Sequence, residues 1–128
     1  MSLSPIRCAV AAAFGLLALP VPPAAAADCD LAIRHATTVA VQGERAFMSE
    51  SYVLAGDAAA GARIPAIDAT RHAKACGCKE AVAPLEDATL TAARANVVAN
   101  LDGAKGYGAR IRKDAEVALE ALRRCAAR

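Results

Sequence analysis

Aromatic side chains are almost missing from this sequence. Its 128 residues include two Phe, two Tyr and no Trp, and past residue 27 only Phe47, Tyr52 and Tyr107 remain. Such a chain has no stacking platform for bases or sugars. Charge of one sign is scarce as well. Lys and Arg total 15 against 13 Asp and Glu, too even a balance for the basic stripe of a dedicated nucleic-acid binder. Several signatures of chemistry are absent too. There is no Cys-x-x-Cys-His for covalent haem, no paired Cys-x-x-Cys for zinc, and no glycine elbow around Ser49 or Ser51. Gly103, Gly106 and Gly108 lack the residues that would complete a phosphate-cradling loop. Neither a tryptophan nor a βαβ pattern suggests a thioredoxin-like setting. The expectation is of no catalytic residues and no cofactor.

Long apolar runs are also wanting. Cys8 to Leu19 is the best of them, and it is too short to span a bilayer comfortably. Arg7 precedes it, Pro20, Pro22 and Pro23 break it, and Ala24-Ala25-Ala26-Ala27 follows with the small residues that signal peptidase accepts. Residues 1–27 therefore read as a signal peptide and 28–128 as the mature domain. An Asp directly before Cys29 makes a poor lipidation site. The expected location is periplasmic or secreted, most simply a bacterial periplasm, with no membrane attachment after cleavage.

What is abundant is alanine, 27 of the 101 residues from Asp28 onward. Alanine is the best helix former, so the mature chain reads as all-α. A first helix is predicted from about Cys29 to Ala55, with a seam of Cys29, Ile33, Ala36, Ala40, Gly43, Phe47, Glu50 and Leu54 at alternating steps of four and three. Gly43 costs helix stability, and close approach of a neighbouring helix would account for it. Gly56-Asp57 is expected to end this segment. Pro65 suits the first turn of a second helix, with Ala66, Ala69, Ala73 and Cys76 on one stripe and Gly77 as terminator. An earlier start near Ala58, with Pro65 as a kink, is the alternative. A third helix, about Lys79 to Leu101, carries Cys78, Ala81, Leu85, Ala88, Ala92, Ala95 and Ala99, and Asp102-Gly103 is expected to stop it. Ala104 to Gly108 then reads as a glycine-rich flexible tip bearing Tyr107. A fourth helix, about Ala109 to Ala126, has the seam Ile111, Ala115, Ala118, Leu122 and Cys125.

Cleavage removes Cys8 and leaves four cysteines, an even number that in a small exported chain implies two disulfides. Their spacing is symmetrical. Forty-six residues separate Cys29 from Cys76, and forty-six separate Cys78 from Cys125. In an up-down bundle of four helices all four cysteines fall at one end. Closing Cys76 to Cys78 around Gly77 conflicts with disulfide geometry. Two pairings survive, Cys29–Cys76 with Cys78–Cys125, and Cys29–Cys78 with Cys76–Cys125. The first is preferred because each bond clamps the open end of one helical hairpin, 29–76 or 78–125. Two recurrences hint at duplication. Gly61-Ala62-Arg63-Ile64 returns as Gly108-Ala109-Arg110-Ile111, and Arg45-Ala46 returns as Arg94-Ala95 at the offset relating Cys29 to Cys78.

The functional expectation is a non-enzymatic helical binding or structural module that meets another protein through a helix face or the Tyr107 tip. Two alternatives rest on the cysteine end. Reduced Cys76 and Cys78 with His72 would form a zinc or copper(I) site, and Cys76 with Cys78 would support thiol–disulfide exchange. His72 otherwise reads as a solvated residue near a helix C-terminus. His35 and Met48 lie thirteen residues apart on one helix and cannot clamp one haem iron. The acids Glu86, Asp87, Asp114, Glu116 and Glu120 read as solvated helix faces.

Overall fold

The computed structural model describes residues 24–128, so the proposed signal peptide lies outside the described residues except for Ala24–Ala27, which are helical. The architecture is an all-α bundle closed by two disulfides. Helix α1 spans Ala24–Met48, α2 Tyr52–Ala60, α3 Arg63–Ala75, α4 Lys79–Arg94 and α5 Leu101–Ala126, with a 3₁₀ turn at Ala95–Val97. α1 and α5 form the most extensive pairing, α3 packs on α1 and α4, and α4 packs on α5. The four rods thus close a ring of antiparallel neighbours. α2 leans away from α3 to contact α1, α5 and the 3₁₀ turn.

The core is made of small residues. One layer, next to the cysteines, gathers Ala32, Ala36, Ala73, Ala81, Leu85, Ala118 and Leu122. The far layer gathers Val39, Ala46, Ala59, Ala66, Ala92, Ile111 and Ala115. Because alanine presents little side chain, the helices approach closely, as where α1 crosses α5. A Cβ placed on Gly43 would lie 2.7 Å from the Arg112 amide nitrogen and 2.8 Å from the Gly108 carbonyl oxygen. One placed on Gly108 would lie 2.6 Å from the Ala46 Cβ. The expected neighbour of Gly43 is therefore α5, and it answers with a glycine of its own.

The seams of the third and fourth expected helices are buried as read, apart from exposed Ala99 and half-buried Cys125. The seam of α1 is shifted. Its buried line is Cys29, Ala32, Ala36, Val39, Gly43 and Ala46, while Phe47, Glu50 and Leu54 are exposed. Three boundaries also differ from expectation. The first helix ends at Met48 and not at Gly56-Asp57, because Ser49 Oγ donates to the Ser51 carbonyl at 3.1 Å and the backbone turns there. Gly56 and Asp57 sit inside α2. The second rod starts upstream of Pro65, at Tyr52, and bends around Gly61-Ala62. Pro65 lacks the amide that would continue the ladder across that bend.

The third correction is the largest. The third expected helix ends at Arg94 and not at Leu101, which instead begins α5, so Asp102-Gly103 does not stop a helix and residues 104–108 are no flexible tip. Asn100 caps α5, its Oδ1 accepting from the Gly103 amide at 2.8 Å, so the glycine-rich stretch is the first two turns of a 26-residue helix. Tyr107 is half-buried against the far core layer.

Candidate functional site

The cysteine pole is built by one tight junction. α3 ends at Ala75, and Gly77 adopts φ +75°, the left-handed conformation that a helix terminator requires. The Cys78 amide then donates to the Ala73 carbonyl at 2.9 Å and the Gly77 amide to the Lys74 carbonyl at 3.1 Å. This double hydrogen bond reverses the chain within one residue, so Cys76 leaves α3 where Cys78 begins α4. The two cysteines diverge to different partners. Cys29 bonds Cys76 with Cα atoms 5.3 Å apart, and Cys78 bonds Cys125 with Cα atoms 5.8 Å apart. The preferred pairing is the one observed. Both loops of the sulfur pole are closed, so Cys76 and Cys78 carry no free thiolate for zinc, copper(I) or exchange. Cys78 is fully buried.

His72 is not a solvated side chain. It sits on the last turn of α3, only 19% exposed, and its Nδ1 lies 3.0 Å from Asp28 Oδ1 at the start of α1. Its ring stacks on that of His35, with centroids 5.5 Å apart and planes 4° from parallel. Their positions in the sequence, 37 residues apart, give no sign of this pairing. The Cys29–Cys76 pairing brings Asp28 to the end of α3 that carries His72, and the rotation of α3 then decides that the two side chains meet. Among the described residues no three His, Cys, Asp or Glu side chains form a ready-made metal cage.

The acids are mostly solvated, with one exception that the sequence did not disclose. Asp114 on α5 is pushed above the ordinary carboxylate range by burial and then by the Asp87 carboxylate on α4, with Arg110 and Lys113 opposing. Phe47 is approached by two cations, Lys105 Nζ at 5.6 Å and the Arg112 guanidinium at 5.4 Å from its ring centroid. Arg112 also pairs with Glu44, whose hydrogen bond and charge raise the guanidinium above its already high value.

The chain matches no protein-family model, no curated protein and no solved structure. Its surface must therefore speak for it. An open groove of about 590 Å³ lies between α3 and α4, lined by Ile67, Thr70, Arg71, Lys74, Thr89 and Leu90 among others. Ile67 is 44% and Leu90 56% exposed, and Ile64, one turn earlier on α3, is 70% exposed. The rim is charged. Lys74 Nζ reaches across to Glu86 Oε1 at 3.4 Å, and Arg71 holds Asp68 at 3.1 Å. A smaller recess beside Tyr107 is lined by Val97, Val98 and Arg110.

Proposed function

We propose that the protein is an exported, non-enzymatic binding module that docks another protein along the α3–α4 groove. The observation that carries this reading is the exposed aliphatic row of Ile64, Ile67 and Leu90 on a rigid, disulfide-clamped frame. Aliphatic side chains are left in water at a cost of about 25 cal/mol per Å², and a partner's helix would relieve it. The rim charges are paired within the protein, Arg71 with Asp68 and Lys74 with Glu86, so the groove favours the apolar face of an amphipathic helix, the helix-in-groove mode of recognition. Export is supported by the Arg7, Cys8–Leu19 and Ala24–Ala27 pattern and by two disulfides, which persist in oxidising compartments. No helix among the described residues is long and apolar enough to cross a membrane.

A photocrosslinking residue at position 90, introduced in the producing cell, tests the proposal. The expected result is one discrete protein adduct that Ile67→Glu abolishes. The same probe at Val117, an exposed apolar position on α5, should give none. An adduct that survives Ile67→Glu, equal labelling from both positions, or an adduct of twice the chain's own mass would overturn it.

A further inference from the structure

Both histidines of the chain come together from different helices, beside a carboxylate and a disulfide. An ionised carboxylate can only accept a hydrogen bond, so the His72 Nδ1 facing Asp28 carries the hydrogen. That leaves the Nε2 lone pair of neutral His72 without a proton. The pattern is that of a carboxylate holding a metal-binding imidazole in the ligating tautomer and orientation. His35, stacked on His72, supplies a second imidazole.

From this geometry we infer that His72 and His35 form a two-imidazole site for a borderline divalent cation, Zn²⁺ or Cu²⁺, with Asp28 as the positioning residue. Metal–nitrogen bonds of about 2.0–2.1 Å put the ring centroids of two tetrahedral imidazole ligands roughly 5 Å apart. The rings stand 5.5 Å apart and 4° from parallel, so their spacing suits two ligands of one ion and their orientation does not. Parallel stacked rings do not aim both lone pairs at one point, so binding tilts them out of the stack, and water fills the remaining positions. The Cys29–Cys76 bond pre-organises the site. It pins the start of α1 to the end of α3, with Asp28 adjoining one sulfur-bearing residue and His72 one turn before the other. The sulfurs themselves take no part, so the site belongs to the oxidised protein. It is independent of the α3–α4 groove.

The test uses protein produced from the full-length gene, with both disulfides formed and no thiol detectable after denaturation. Titration calorimetry with Zn²⁺ should give one ion per chain. His35→Ala and His72→Ala should each weaken binding at least tenfold, and the double variant should abolish it. Asp28→Asn keeps both ligands, so it should retain the stoichiometry and weaken binding by roughly 10- to 100-fold. With Cu²⁺, the electron paramagnetic resonance spectrum should show coupling to two nitrogens, falling to one in His35→Ala. Each variant is first required to melt cooperatively without metal, at a temperature close to the parent's. Absence of binding, binding unchanged in the double variant, or a copper spectrum without nitrogen coupling would overturn the inference.

Discussion

At Gly43 and Gly108 the identity of a single residue sets the distance between two helices. An added methyl would meet main chain on one side, at 2.7 Å, and the Ala46 Cβ on the other, at 2.6 Å. Main chain cannot step aside without moving a helix. Gly43→Ala is therefore expected to lower stability by about 1–3 kcal/mol through overpacking, despite the propensity gained. Gly106, on the same helix as Gly108, has nothing within 4 Å of such a methyl. Gly106→Ala should raise stability by up to about 1 kcal/mol, and urea melts of the two variants should move in opposite directions. Gly43 was legible as a site of close approach, since a helix-interior glycine has a cost that needs a reason. Its partner was not, because Gly108 lies in the stretch 104–108, whose two glycines read as a flexible tip. Asp114 was hidden for another cause. Its environment depends on Asp87, which only the α4–α5 packing brings near. Its folded-state affinity for protons is raised, so the ionised form weakens the fold at neutral pH, and the penalty disappears as pH falls through the raised value. Asp114→Asn should stabilise at pH 7, with the gain shrinking to nothing below the ordinary carboxylate range, as thermal melts across that range would show.

At the scale of elements, the buried faces of α4 and the latter part of α5 follow directly from steps of three and four residues. The boundaries do not, because they depend on side chains that compete for backbone groups. Ser49 and Asn100 decide where α1 ends and where α5 begins. Neither interrupts the alanine pattern that carried the reading past them. The α1 seam went astray for a related reason. An alanine-rich helix offers small residues in more than one register, and Phe47 and Leu54 continue one that the fold leaves exposed. Asn100 gives the sharpest test. Asn100→Ala removes the acceptor held 2.8 Å from the Gly103 amide and should cost about 1 kcal/mol. Hydrogen exchange should rise over the first turns of α5 and not near Cys125. Helix starts also bear on ancestry. Tyr52 and Leu101, each opening the second arm of its hairpin, stand at the same offset as Cys29 and Cys78. The repeated tetrapeptide does not fit that frame, since Ile64 is exposed and Ile111 is buried.

For the whole molecule, a core dominated by alanine buries little apolar area per residue, so the crosslinks carry a large share of stability. Replacing Cys29 and Cys76 together with Ser releases a loop of about 48 residues. The chain-entropy argument puts the loss at up to about 4 kcal/mol, readable as a lower urea midpoint. Equal spacing and the geometric exclusion of Cys76–Cys78 leave two pairings, and only the clamping of each hairpin end favours the observed one. The His35–His72–Asp28 cluster was not legible, because it needs the rotation of α3 about its axis as well as its end point. That the bonds join 29 to 76 and 78 to 125 has a further consequence. Each cysteine is matched with its immediate neighbour in order of appearance, and neither crosslink encloses the other. A chain threaded N-terminus first can seal one hairpin before the other has emerged, and simple oxidation in sequence gives the native arrangement without reshuffling.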